Sequence, residues 1–447
     1  MSETEDKKVV TRFAPSPTGL LHGGNYRTAV FAYLFAKKSR GEFVVRIEDT
    51  DKERSKLEYE KNIWETITWL GLLPERKYRQ SEHGPRHKEL LEKLIAEDKA
   101  YVSKEEIKKE GDRSEVIRFK NPKKPVTFVD LIRGPITIDT TDLGDFVIAR
   151  SLEEPVFHFA VVVDDADEGI THIVRGEDHI SNTPRQILIQ EALGVATPTY
   201  AHLPLVLDPN RAKLSKRRGA RALTEYRDEG YLPEALINYL ALLGWHPEGE
   251  QEIFTLAELV AAFSLERIQK SAGIFDEIKL KWYNQEHLKK LSDEEFLEHM
   301  QEYFKAMGAA VPGYTEKILS LLRERSQTFG DAFVAIRDGE YAFLEARPDP
   351  TKELLLKGAK ANESEVLQHL QTVVEKLQTL SEDMFTAEAV KGAIFDYASE
   401  VGRASVLWPM RVALSGKEKS PDPFTLSGIL GKEKTISYIT AAQSMVQ

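Results

Sequence analysis

Four short segments of this 447-residue chain hold side chains whose types and spacing could handle a polyphosphate. In the first, Pro15-Ser16-Pro17-Thr18-Gly19 turns the backbone and Leu20-Leu21-His22-Gly23-Gly24-Asn25 leads into a helical pattern, so that His22 and two glycines arrive at a helix N-terminus. Backbone N–H groups and the helix dipole favour anions there, and an imidazole N–H beside them can contact phosphate oxygens. The spacing is not that of a P-loop, which places Lys and Ser or Thr directly after a second glycine. The second segment is the basic run Arg211, Lys213, Lys216, Arg217, Arg218 and Arg221, with Ser215 and Gly219 inside it and no acid, which suits a polyphosphate or an RNA backbone. The third, Arg46-Ile47-Glu48-Asp49-Thr50-Asp51, places carboxylates at the end of an apolar run, where they could hold an ammonium or a metal. The fourth, Arg175-Gly176-Glu177-Asp178-His179, repeats that arrangement later in the chain. Taken singly, each has a plain alternative: a glycine-rich helix start with a surface histidine, a solvated basic loop, a helix N-cap, and an exposed turn with a salt bridge.

The elements around these segments follow from periodicity. A β-rich stretch at Val9–Phe13 precedes the first loop, and a helical pattern runs from about Gly24 to Lys38. The apolar run Phe43–Ile47 reads as a second strand, Ser55 with Glu58 as a capping box for the next helix, and Gly71 as its end. This βαβα order predicts a parallel sheet, which binds nucleotides at the carboxyl ends of its strands. Between about Ala100 and Val163 the text changes to short alternating segments, Val126–Leu131, Pro135–Asp139 and Phe146–Ala149, which predict a β-containing insertion. The α/β pattern resumes with a strand at Ile170–Val174, a helix at Thr183–Leu193 and a strand near Leu203–Leu207. From Thr224 onward the text is almost continuously helical, with capping boxes at Thr255/Glu258 and Ser292/Glu295 and a boundary expected within about Gln285–Gly313.

Composition narrows the class. The length predicts roughly two to four domains. Hydrophobic residues at 41% are ample for their cores, and no apolar stretch approaches the roughly 20 residues of a membrane span. The N-terminal MSETEDKK lacks the apolar centre of a secretory signal, so a cytoplasmic protein is expected. The absence of cysteine excludes disulfides, thiolate nucleophiles and Cys-ligated metal centres, leaving only His, Asp and Glu as metal ligands. With 61 Lys+Arg against 72 Asp+Glu the net charge is −11, so an RNA partner requires a local basic surface.

In order along the chain, FAPSPTG with HGGN, RIEDTD, VVVDD with RGEDH, and KLSKR resemble the catalytic half of the class I aminoacyl-tRNA synthetases, in particular the glutamyl-tRNA synthetase family. YLPEALINYLALLGW (Tyr231–Trp245) and the Phe275-Asp276 region look like the stem-contact part of that family, and MRVALSG (Met410–Gly416) like its anticodon-binding end. The resemblance implies an α/β, Rossmann-like parallel-sheet catalytic domain (residues 1–99 and 164–222), a short α+β acceptor-end insertion (100–163), and α-helical stem-contact (223–300) and anticodon-binding (301–447) domains. It implies a monomer with no membrane association. The implied reaction uses ATP with Mg2+ to convert L-glutamate to glutamyl-adenylate, and passes the glutamyl group to the terminal adenosine of tRNA(Glu). The same matching makes His22, Lys213 and Lys216 the catalytic residues, and puts ATP against His22, Gly24, Asn25, Asp178, Lys213 and Lys216. It pairs Arg12 with the side-chain carboxylate of glutamate, Glu48 and Ser16 with its ammonium and Arg175 with its α-carboxylate, with Ala14 and Phe157 completing that pocket.

Three departures from the family pattern carry expectations of their own. Phe157 stands where a tyrosine is usual, and the lost hydrogen bond to a carboxylate, worth roughly 1.5–3 kcal/mol, predicts weaker glutamate binding. Gly23 replaces an aliphatic residue, which is expected to loosen the helix start. The insertion lacks the cysteines of the zinc knob found in many relatives, so no structural zinc is expected. Contacts to tRNA are then expected from Lys120, Lys123, Lys124 and Arg133, with Arg217 and Arg218 of the basic run. Competing readings fit less well. A shortened paralogue that glutamylates a tRNA base lacks the anticodon-binding half, and a glutaminyl-tRNA synthetase would show β-barrels where Glu316–Leu380 and Met384–Gly402 read as helical. A small-molecule nucleotidyltransferase leaves the helical half unexplained, and a non-catalytic RNA-binding relative leaves His22, Lys213 and Lys216 without a role.

Overall fold

Strand β1 (Val10–Phe13) is buried at all four positions, as a central strand covered on both faces must be. It belongs to a computed structural model that describes residues 8–107, 114–215 and 219–447. Helix α1 (Gly23–Lys38) returns the chain to β2 (Glu42–Ile47), and α2 (Leu57–Trp69) leads to β3 (Arg76–Arg79). Then follow α3 (Gly84–Ala96), β4 (Ala100–Lys104), β5 (Glu115–Phe119), β6 (Pro125–Asp130), β7 (Gly134–Asp139), β8 (Phe146–Ser151), β9 (Glu154–Pro155) and α4 (Phe157–Asp167). Strand β10 (His172–Gly176), α5 (Thr183–Leu193), β11 (Thr199–Leu203) and β12 (Val206–Leu207) complete the α/β part.

Among the described residues the main sheet has seven strands in the order β3-β2-β1-β10-β11-β6-β7. All but β7 run parallel, and β7 closes the sheet as an antiparallel edge. The chain leaves β1 toward β2 on one side and meets β10 on the other, so a crevice opens at the carboxyl ends of β1 and β10. Arg12 and Phe13 end one of these strands, and Arg175 and Gly176 the other.

Two local expectations change. The segment expected as one insertion is divided between two sheets: β4, β5, β8 and β9 form a separate antiparallel sheet, whereas β6 joins the main sheet through Asp130 opposite Tyr200. Ser55 does not cap α2. Lys56 N donates to Pro17 O across the loop, so the helix begins at Leu57 with no side-chain cap, and Ser55 Oγ is buried with no hydrogen-bond partner among the described residues. Helix α5 matches its expected bounds because both ends are written locally, Pro184 in the first turn and Gly194 at φ +73 after the last.

Beyond β12 come α6 (Leu223–Asp228), α7 (Pro233–Leu242), α8 (Leu256–Ala262), the two-residue β13 (Gly273–Ile274) paired with β12, and α9 (Glu277–Lys290). The chain divides into two compact units, Met1–His287 and Leu288–Gln447. In the second, the described elements are all helical: α10 (Asp293–Ala306), α11 (Leu319–Arg325), α12 (Phe329–Arg337), α13 (Lys352–Lys357), α14 (Glu363–Gln378), α15 (Ala387–Val401), α16 (Arg403–Ser415), α17 (Pro423–Leu430) and α18 (Lys432–Val446), besides short 3₁₀ turns. The capping boxes at Thr255/Glu258 and Ser292/Glu295 are both formed. Among the described residues no helix is long and apolar enough to cross a membrane.

Candidate active site

A cavity of about 690 Å³ opens at the β1/β10 crevice. It brings together Arg12, Ala14 and Ser16 from the end of β1, His22, Gly24 and Asn25 from α1, Glu48 after β2, Phe157 from α4, Arg175 and Asp178 from β10 and its following turn, and Lys213. Lys216, Arg217 and Arg218 lie outside the described residues.

His22 is the N-cap of α1. Its Nδ1 accepts from Gly24 N at 3.1 Å and its own N–H donates to Asn25 Oδ1 at 3.2 Å, which closes a capping box. With Nδ1 as acceptor, the neutral ring carries its proton on Nε2. Both glycines admit close contacts. A Cβ on Gly24 would lie 3.0 Å from the His22 ring, and a Cβ on Gly23 would lie 2.7 Å from the ring of Phe275. The expectation that Gly23 loosens the helix start is therefore corrected: Phe275, held edge-on against Tyr239 at 5.2 Å, fills the space of the missing side chain.

Lys213 Nζ donates to Asp178 Oδ2 at 2.8 Å. Burial alone would raise the Asp178 carboxyl, but the Lys213 hydrogen bond and the neighbouring positive charge outweigh it and hold Asp178 below the usual carboxylate range. Arg175 is anchored from behind, with Nε to His202 Nε2 at 3.1 Å, Nη1 to Gln186 Oε1 at 2.8 Å and Nη2 to Thr183 Oγ1 at 2.8 Å. Three of the five guanidinium N–H groups are thus committed, and burial pulls Arg175 down to about 10. His202 Nδ1 in turn pairs with Asp130 at 2.7 Å.

Arg12 is gripped by Asp165, with Nε to Oδ1 at 3.1 Å and Nη2 to Oδ2 at 3.3 Å. Asp165 is shared with Arg46, which is completely buried and also pairs with Glu48 at 3.2 Å and Glu168 at 2.8 Å. Four acids, Glu48, Asp164, Asp165 and Glu168, thus surround two guanidiniums, Arg12 and Arg46. Burial outweighs the arginines at two of the acids: it raises Glu168 to about 8, with Oε1 lacking a hydrogen-bond partner among the described residues, and it holds Glu48 above the usual carboxylate range despite Arg46 and Arg12.

Three further polar residues, His179, Asn182 and Arg27, line the wall. His179, pushed down to about 4 by burial and by Arg175, is neutral beside Phe157. Asn182 lies one turn further on. Arg27 hydrogen-bonds Leu243 O at 3.0 Å and Pro204 O. Its signal was legible, since position 27 shares a helix face with the glycines three and four residues earlier. The insertion cations fare differently: Lys120 pairs with Asp98, Lys124 with Glu191 and Arg133 with Glu177, and Lys123 sits in a turn with φ +53.

Comparisons with known proteins fit this geometry. The family described as "tRNA synthetases class I (E and Q), catalytic domain" matches residues 8–115 and 102–282, and the family described as "Anticodon binding domain" matches residues 280–443. Glutamate–tRNA ligase 1 of Syntrophus aciditrophicus is 39% identical over 97% of this chain and 96% of its own, and glutamate–tRNA ligase of Aquifex aeolicus is 40% identical over 96% and 97%. The crystal structure of a glutamate tRNA ligase from Elizabethkingia meningosepticum in complex with its amino acid superposes with a TM-score of 0.84 at 33% identity, covering 99% of this chain and all of that one.

Two predictions follow from the packing. Gly23→Ile overpacks against Phe275 and lowers stability by about 1–3 kcal/mol in urea unfolding, and adding Phe275→Leu recovers at least half of the loss; simple addition of the two single losses would contradict the contact. Glu168 is protonated more readily folded than unfolded, so its contribution is intact below the unfolded value near 4.3 and is lost as pH rises toward about 8, with a slope of at most about 1.4 kcal/mol per pH unit. Glu168→Gln removes that slope, and unfolding curves across this range should be flatter for the variant and cross those of the parent. Matched over nearly its whole length in sequence and in structure, the chain belongs to the glutamate–tRNA ligases of the class I tRNA synthetase family.

Proposed function

We propose that the chain ligates L-glutamate to tRNA(Glu) and that the β1/β10 cavity does so by charge placement rather than by covalent help. The observation that carries this reading is the gathering, in one cavity, of two cationic or N–H-donating groups on the nucleotide side, His22 and Lys213, with a fixed guanidinium and a fixed carboxylate, Arg12 and Glu48. A zwitterionic dicarboxylate needs that second pair: Arg12 faces its side-chain carboxylate, Glu48 and Ser16 its ammonium, and the two remaining N–H groups of Arg175 its α-carboxylate. Ala14 and Phe157 border the aliphatic part.

An α-carboxylate oxygen then attacks the α-phosphorus of ATP, forming the acyl-phosphate bond as the bond to diphosphate breaks. His22 Nε2–H and the N-terminus of α1, with Gly24 and Asn25, donate to phosphate oxygens, and the Lys213 ammonium, held at the cavity by Asp178, neutralises charge that moves toward the departing diphosphate. Lys216 is assigned the same task by its place in KLSKR. Magnesium travels with the triphosphate as part of the nucleotide substrate. In the second step a ribose hydroxyl of the terminal adenosine attacks the glutamyl carbonyl carbon and AMP leaves. Recognition of the anticodon is assigned to the helical unit, and the acceptor end to the surface around Lys123, Arg133 and the basic run.

Formation of glutamyl-tRNA should require ATP, L-glutamate and tRNA(Glu) together, and its absence with all three present removes the reading. Arg12→Ala should lower kcat/KM for glutamate by at least about a hundredfold while KM for ATP stays within about threefold. Lys213→Ala should lower kcat about a hundredfold with little change in KM for glutamate. Phe157→Tyr should lower KM for glutamate about tenfold, the reverse of the lost hydrogen bond.

A further inference from the structure

Arg46 and Asp165 form no part of the cavity wall among the described residues, yet the two charged groups proposed to hold the ends of glutamate are both built on them. Asp165 Oδ1 accepts from Arg12 Nε at 3.1 Å and from Arg46 Nη2 at 2.9 Å. The same Arg46 Nη2 reaches Glu48 Oε1 at 3.2 Å. The result is an unbroken alternation of charge, Arg12 to Asp165 to Arg46 to Glu48, with Arg12 and Glu48 at its two ends in the cavity. Glu168 fixes the remaining edge of Arg46 at 2.8 Å, and Asp164, 3.8 Å from Arg46 Nε, is itself held by His87 at 2.6 Å, Gln80 at 2.7 Å and His83 at 3.1 Å. Every side chain in the alternation is at least nine-tenths buried, so none can swing into solvent.

We infer that the Arg46–Asp165 pair is the spacer that selects substrate length: by holding Arg12 and Glu48 at a fixed separation, it accepts a five-carbon dicarboxylate and refuses a four-carbon one. This rests on the assignment of Arg12 and Glu48 to the two ends of glutamate. A long arginine on a flexible stem could follow a shorter substrate, because one carbon–carbon bond is only about 1.5 Å. Asp165 removes that freedom by gripping the Nε/Nη2 edge, and leaves the Nη1 edge for the ligand. Burying such an alternation costs desolvation, and a hydrophobic replacement would serve stability as well, so its use here is geometric. Arg46 and Asp165 are positioning residues, acting on the substrate only through Arg12 and Glu48.

The test is a double-mutant cycle read as kcat/KM for L-glutamate in aminoacylation, with KM for ATP measured alongside. Asp165→Asn should lose at least about tenfold, Arg12→Lys a comparable factor, and the double variant no more than about threefold beyond the larger single loss, with ATP affinity held within about twofold. Multiplying losses in the double variant would overturn the inference while leaving the assignment of Arg12 intact, and an unchanged kcat/KM for Arg12→Lys would overturn the assignment itself. Asp165→Glu, which keeps the charge and adds one methylene behind Arg12, supplies the readout should the amide variant fail to fold. Its ratio of aspartate to glutamate acylation should rise at least about tenfold. An unchanged ratio in a folded Asp165→Glu enzyme overturns the inference.

Discussion

The catalytic unit is organised around one completely buried guanidinium. Arg46 sits on β2 and pairs with Asp165 and Glu168, which lie in and just after α4, and with Glu48 beyond the end of its own strand. Taking such a charge out of water is costly, and removing any one partner strands the others, a loss of about 3–5 kcal/mol. The attachment of α4 to the sheet, the depth of Glu48 and the orientation of Arg12 therefore stand or fall together. The four acids outnumber the two guanidiniums, and burial keeps Glu168 and Glu48 above the usual carboxylate range while the cluster stays closed to water.

A second constraint acts at the start of α1, on the side proposed to hold the nucleotide. The start of α1 is defined by the His22 and Asn25 capping box, by Gly24 beneath the imidazole and by Phe275 against Gly23. Phe275 N donates to Leu207 O at 2.9 Å, and Leu207 bridges Lys213. The histidine and the lysine, far apart in sequence, are thus referred to one aromatic ring and one short pair of strands, β12 and β13.

Much of this was legible in the text wherever the governing contacts are local. The helix Thr183–Leu193 and the boxes at Thr255/Glu258 and Ser292/Glu295 were readable because each is closed by residues three or four apart. Ser55/Glu58 has the same spelling and failed because the Ser55 N–H that the box would have used donates instead to Asp51 O at 2.9 Å, while Lys56 N–H is drawn to the distant Pro17 O. The place of β6 depends on pairing with β11, which no local pattern encodes. VVVDD, rich in β-branched residues, lies on a helix because α4 is buried on nearly every side and its two aspartates find arginine and histidine partners. At the site, family motifs marked the wall residues, and Arg46 and Asp165 lie inside the segments RIEDTD and VVVDD, but nothing there gave either a role of its own, since burial is invisible in a string of letters.

The two open edges of the main sheet, β3 and β7, have a bearing on how the protein survives at high concentration. An exposed strand edge is a template for another chain, and uncontrolled pairing there leads to aggregates. Strand β3 reads Arg76-Lys77-Tyr78-Arg79, so a second copy approaching it in register would bring like charges together. Strand β7 carries Pro135, a residue that a central strand does not tolerate because it has no N–H to give. The sheet ends where it does because both of its margins are poor partners for themselves, a form of solubility written into the backbone rather than into the net charge.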